Sequence, residues 1–174
     1  MNQQGLGVLR PKKLTRLVVG ALTSTLLTLG LSAATLAPAE AVQTTSLATT
    51  AMAADTYEKR VIRQVNIRRA NHGLRRVRGV TCADRTAEAW SLYLAVNNEF
   101  YHQSMTNVLN RCDARYAGET LGRGSMAPRK LVRMWMNSPG HRAILLSRKA
   151  RRIGVGATPD ASGRWVVAAN FVRL

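Results

Sequence analysis

Apolar positions recur every three or four residues through Tyr57, Val61, Ile62 and Val65, which predicts a helix from Asp55 to Ala70 with Gly73 as its stop. Asp55-Thr56-Tyr57-Glu58 has the capping-box pattern for its start, and Arg60, Arg63, Arg68 and Arg69 lie along its back. A second stripe, Ala83, Ala87, Trp90 and Leu94, predicts a helix capped by Thr81-Cys82-Ala83-Asp84 and ending at Asn97-Asn98. A third opens at Ala127-Pro128, shows Leu131, Met134 and Trp135 on its apolar side, and is broken by Pro139-Gly140. The tail is β-like: Ile153–Ala157 and Arg164–Val172 flank Asp160-Ala161-Ser162-Gly163, a run of turn residues. Trp90, Trp135 and Trp165 each fall on the apolar period of their element and are expected in the core. Helices first and strands afterwards predict an α+β fold, with helices packed on a small antiparallel sheet.

The N-terminus reads differently. Arg10, Lys12, Lys13 and Arg16 precede an apolar stretch from Leu17 to Leu36, and Ala39-Glu40-Ala41 follows as a small-residue cleavage site. Residues 1–41 are therefore expected to be a secretory signal peptide, the alternative being an uncleaved membrane anchor. Residues 42–54 are small and uncharged with no sustained apolar period, and are expected to be a flexible tether. The remaining domain, residues 55–174, is long enough to bury roughly two thirds of its unfolded surface.

Without residues 1–41 the chain keeps 22 basic and 8 acidic side chains, a net charge of +14. Two cysteines in an exported chain favour one disulfide, Cys82–Cys112, over two buried reduced thiols. Closing that loop is worth roughly 3–4 kcal/mol in the chain-entropy view.

Two of the three histidines and one of the nine acidic residues sit in distinctive surroundings: Phe100-Tyr101-His102, Gly118-Glu119, and Trp135-Met136-Asn137-Ser138-Pro139-Gly140-His141-Arg142. Other signals are weaker. The glycines of Gly118–Gly124 lack the strand-before, helix-after context of a phosphate loop, and that segment is expected to be a turn-rich part of the cleft. Ser125, Ser138 and Cys112 have no adjacent His–Asp pattern that would make a nucleophile. His72 reads as a solvated residue of a helical C-terminal turn.

Taken in order, Asn66-x-x-Arg69, Gly73-Leu74, the aromatic pair before His102, Gly118-Glu119, the Ser138-Pro139-Gly140-His141-Arg142 segment and Ile153-Gly154-Val155-Gly156 resemble the CAP superfamily. That superfamily holds the cysteine-rich secretory proteins, antigen 5 and pathogenesis-related-1 proteins, and the likeness here is to its compact bacterial branch. The resemblance covers nearly all of residues 57–174. It implies an α-β-α sandwich whose central cleft carries two histidines and up to two glutamates. The histidines carry over to His102 and His141 and the first glutamate to Glu119. The second glutamate position holds Ser138, and Thr120 stands where an asparagine is common. Members of the family have been linked with lipid or sterol binding, antimicrobial and host-interaction roles, and proteolysis.

The chemistry of the residues points the same way. Two neutral imidazoles can bind a divalent cation such as Zn²⁺, and Glu119 could be a third ligand or orient a bound water. There is no HExxH spacing to supply a general base besides the ligands. A structural reading stands beside this one, with His141 capping the preceding turn and Glu119 paired to Arg142 or a backbone amide.

The basic residues Arg60, Arg63, Arg68, Arg69, Arg75, Arg76 and Arg78, with Lys149, Arg151 and Arg152, predict a positive face. Outside a cell such a face attracts anionic envelope polymers, lipid headgroups or DNA. No sequence-reading DNA motif is present. The leading expectation is a secreted or envelope-associated binding module with a cation site in its cleft. The alternatives are a metal-assisted hydrolase using the same cleft, and an adhesive protein acting through its basic face.

Overall fold

The computed structural model describes residues 39–174, with side chains from position 53 onward. The expected leader therefore lies outside the described residues up to position 38. The elements in chain order are α1 (Ala39–Ala70), β1 (Arg78–Gly79), α2 (Thr81–Val96), α3 (Met105–Cys112), β2 (Tyr116–Gly124), α4 (Pro128–Asn137), α5 (Pro139–Leu145), β3 (Arg152–Pro159) and β4 (Trp165–Arg173).

The four strands form one mixed sheet in the order β1-β3-β4-β2. The β3–β4 hairpin and the β2–β4 pair are antiparallel, and β1 runs parallel to β3. Asp160 shapes the hairpin turn: its Oδ1 accepts the amides of Ser162 and Arg164, and Gly163 takes the left-handed φ of +71°. This is the turn that Asp160–Gly163 predicts.

Side-chain alternation sorts the helices into two layers. Ile153, Val155 and Ala157 join one core with Tyr57, Val61 and Val65 of α1 and Leu131, Val132 and Trp135 of α4. The intervening Gly154 and Gly156 lie directly under the backbone of α2 at Ala83 and Ala87. On β2, Gly122 faces Leu131 and Trp135 while Leu121 packs with Ala87 and Leu94 of α2. The sheet is thus sandwiched between α2 with α3 on one face and α1, α4 and α5 on the other, the α+β sandwich expected from the sequence.

The disulfide Cys82–Cys112 ties the start of α2 to the end of α3, with 5.3 Å between the Cα atoms. It closes the segment that carries His102, and the entropy it removes from the unfolded chain is of the order of 3–4 kcal/mol.

Several elements differ from the sequence expectation. Helix α1 is continuous from Ala39, so residues 42–54 are helical rather than a flexible tether. No Gly or Pro interrupts 39–70, and its many alanines carry the highest helix propensity, so nothing stops the helix at Asp55. Thr81 is the first residue of α2, not its cap, and Val80 takes the extended capping position without a side-chain bond. Segment 116–124 is strand β2, not a turn-rich loop, and α3 and α5 are additional helices. Pro139 does not simply end α4: it is the first-turn proline of α5, so His141 is helical.

Arg69 corrects the charge reading. It is fully buried, not part of the positive face. Its Nε donates to the Arg75 carbonyl, Nη1 to those of Leu145 and Ser147, and Nη2 to that of Ala150. Among the tryptophans, Trp135 is buried as expected, whereas Trp90 and Trp165 are half-buried.

Candidate functional site

Three elements deliver the three residues picked out by the motifs. His102 comes from the segment between α2 and α3, Glu119 from the sheet-edge strand β2, and His141 from the first turn of α5. The histidines thus approach from opposite layers of the sandwich, and their ring centroids lie 6.5 Å apart.

Glu119 and His102 are directly bonded, with 2.7 Å between Oε1 and Nδ1. The carboxylate is almost fully buried, at 1% side-chain exposure, while the imidazole is 58% exposed. A buried carboxylate on Nδ1 fixes the orientation of the ring and leaves Nε2 for an outside partner. Glu119 Oε1 also accepts the Gln103 amide, and Oε2 accepts the Gln103 side-chain NH₂. Both oxygens therefore already have donors, and Glu119 acts as a support for His102.

The support extends into the sheet. Gln103 Nε2 also donates to Asn170 Oδ1, the cross-strand neighbour of Glu119, and Asn170 Nδ2 donates to Thr86 Oγ1 on α2. Thr86 returns its hydroxyl proton to the carbonyls of Cys82 and Ala83, next to the disulfide. A buried polar chain of this kind is stabilising only when its members are satisfied, and these are. Neither Gln103 nor Asn170 was expected from the sequence. The signal was Asn170 itself, a polar residue inside the apolar run of β4.

His141 is half-buried, and its pKa lies below the usual imidazole value because burial, and then the nearby His102, disfavour its charged form. A neutral imidazole is the form that binds a metal. Ser138, at the position of the second family glutamate, precedes α5 and adds no carboxylate. Thr120 is fully buried with a hydroxyl that has no partner. Arg142 meets His72 Nε2 at 3.3 Å and not Glu119, and His72 Nδ1 bonds the Arg68 carbonyl as a residue of the α1 end.

Next to His102 opens a cavity of about 400 Å³ walled by Trp90, Tyr93, Tyr101 and Asn107. Trp90 stacks on Tyr93 at 5.1 Å and takes Tyr101 edge-on at 5.2 Å. Its Nε1 donates to the Tyr101 carbonyl, which steadies the residue just before His102.

The donor set fits a small cation in part. Two imidazoles are present, and the surroundings of His141 favour its neutral form, but Glu119 is bonded behind His102 rather than free as a third ligand. No group of three or more His, Cys, Asp or Glu in position to hold a metal occurs among the described residues.

The remaining basic residues separate into two regions. Arg60 and Arg63 flank a shallow cavity with Arg129, while Arg75, Arg76, Arg78, Arg151 and Arg152 line one groove. Lys149 is exposed and Arg68 half-buried.

The α-β-α sandwich is the fold of a known class of proteins. Residues 62–171 match the model of the cysteine-rich secretory protein (CAP) family. The chain belongs to that family. It is 32% identical over 133 residues to "Uncharacterized protein YkwD" of Bacillus subtilis (strain 168), covering 72% of this chain and 52% of the relative. The chain thus spans about half the length of that relative.

Solved structures share the fold. An extracellular protein containing a SCP domain from Bacillus anthracis superposes with a TM-score of 0.61 at 23% identity, over 70% of this chain and 41% of the other. An outer surface protein from Borrelia burgdorferi gives 0.61 at 17% identity, over 66% of this chain and 90% of the other.

Proposed function

We propose that this CAP-domain protein is an exported binding module whose cleft takes a divalent cation such as Zn²⁺ on His102 and His141. The observation that carries the reading is the buried Glu119 carboxylate held 2.7 Å from His102 Nδ1, with the neutral-leaning His141 ring 6.5 Å away. A carboxylate behind a histidine is the usual outer support of a metal-binding imidazole. A cation held there would act as a Lewis acid with coordination positions open to a ligand. The hydrolase alternative needs a carboxylate free to take a proton from water, and both Glu119 oxygens are already occupied. That favours binding over turnover.

Export is supported by the basic-then-apolar N-terminus, by the disulfide, and by the likeness in fold to an extracellular protein and an outer surface protein. The test is calorimetric titration of Zn²⁺ into the protein and into a His102→Ala/His141→Ala variant shown to be folded. Stoichiometric binding is expected for the first and none for the second. Glu119→Gln should weaken binding about 10–100-fold. Absent binding, or equal binding by the double variant, overturns the cation reading.

A second reading concerns the surface. The net charge of +14 left after residue 41 favours association with anionic polymers or lipids of a cell envelope, weakening steeply with salt.

A further inference from the structure

The groove beside β1 is built almost entirely from arginine. It has a volume of about 800 Å³ and is lined by Arg75, Arg76, Arg78, Arg151 and Arg152, with Asn66 and Val77 at its floor. None of the five arginines is in an ion pair among the described residues. No carboxylate and no aromatic ring contributes to the lining.

The two walls are held in place by buried side chains. Asn66 of α1 bonds Val77 in both directions, Nδ2 to the carbonyl and Oδ1 from the amide, at 3.0 and 2.8 Å. Arg69 donates to the Arg75 carbonyl in one wall and to the Ala150 carbonyl beside the other. The parallel β1–β3 ladder then sets Arg78 directly against Arg152, and the Arg78 amide donates to the Arg151 carbonyl. Like charges opposite each other in a sheet cost stability. A short strand whose pairing juxtaposes two arginines keeps that cost unless an anion offsets it.

We propose that this groove is a binding site for a phosphodiester polymer with a non-aromatic backbone, of the polyol-phosphate kind. Four features select that chemistry. The arginine fork matches phosphate oxygens two at a time, which a lysine ammonium does not. Five cations lining one groove without a carboxylate partner, Arg151 alone donating to the carbonyls of Arg148 and Ala150, call for repeated charges on one chain rather than a single small anion. A concave site does not fit a flat membrane surface. Without an aromatic platform there is nothing on which nucleic-acid bases would stack. The proposal rests on the reading of the basic face given above and localises it to one groove, separate from the histidine cleft.

The test compares the protein with two variants that each remove two positive charges. Arg78→Gln/Arg152→Gln alters the groove, and Arg129→Gln/Arg133→Gln alters exposed residues of α4. Binding of poly(glycerol phosphate) at moderate salt should fall about tenfold or more in the groove variant and only about two- to threefold in the α4 variant. The polymer should also raise the melting temperature of the wild type but not of the groove variant. If the groove variant fails to fold, Arg75→Gln/Arg76→Gln takes its place, since neither side chain makes a hydrogen bond among the described residues. Equal losses in the groove and α4 variants overturn the groove site while leaving diffuse adhesion intact. No binding by the wild type overturns both. Tighter binding of single-stranded DNA or of phosphatidylglycerol vesicles than of the polymer overturns the assignment of the ligand.

Discussion

Glu58 Oε1 accepts the backbone amide of Ala157 at 2.8 Å, joining α1 to the central strand β3 through a residue only 9% exposed. Burial pushes the Glu58 pKa up from 4.5 to about 7, opposed by the Ala157 amide and reinforced by Asp84, Glu88 and Asp55. An acid with a raised pKa binds its proton more tightly folded than unfolded. Its contribution to stability is therefore complete below pH 4.5 and is lost as pH rises from there to about 7. His141, with its lowered pKa, slopes the other way, so the comparison must be between wild type and Glu58→Gln. The glutamine keeps an oxygen for Ala157 and removes the charge. Urea denaturation across this range should show the variant gaining on the wild type as pH rises, by about 1–3 kcal/mol at pH 8. A difference that stays flat with pH would show that Glu58 does not titrate in this way.

What the sequence disclosed, and what it hid, follows from how each residue type signals its place. Helices α2 and α4 and the β3–β4 hairpin were readable because their apolar periods are unbroken. Strand β2 was not, because Gly118, Gly122 and Gly124 read as a turn, yet Gly122 is small so that Leu131 and Trp135 can reach the sheet. Helix α3 has just two buried positions, Val108 and Cys112, too few to make a periodic stripe. Helix α5 was masked by Pro139-Gly140, where the proline starts a helix as readily as it ends the previous one. The motifs located His102, Glu119 and His141, and the structure brings them together. What they could not convey is the direction of Glu119, which faces His102 and Gln103 through a network reaching Asn170 and Thr86. Arg69 shows the same limit, since composition places a charge on the surface unless the carbonyls that would bury it are visible.

Arg69 should be the least replaceable cation among the described residues. Its guanidinium satisfies four carbonyls, one at the end of α5 and three in the loops that follow α1 and α5, with no carboxylate among its partners. Burial lowers its pKa, with Arg151 adding to the effect. Arg69→Lys offers one point charge where a fork of donors is needed, and should cost about 2–4 kcal/mol in chemical denaturation. Hydrogen exchange should quicken at amides of residues 146–151, whose loop loses its anchor. A loss below about 1 kcal/mol would mean that water replaces the guanidinium without penalty.

Gly154 sits where α2 crosses β3 with no room for a side chain. A Cβ there would stand 2.0 Å from both the Ala83 carbonyl carbon and the Asp84 nitrogen, and these are backbone atoms that no rotamer change can move. Gly154→Ala must therefore lift α2 from the sheet, and it should cost about 3 kcal/mol or more. Because α2 carries Thr86 and Cys82, the displacement should also loosen the Asn170–Gln103–Glu119 chain and broaden the His102 NMR resonances. Gly79 is the control, since a Cβ there meets nothing within 4 Å. Gly79→Ala should change stability by no more than about 0.5 kcal/mol. Equal effects at the two glycines would mean that backbone freedom, not the contact between helix and sheet, fixes the residue at position 154.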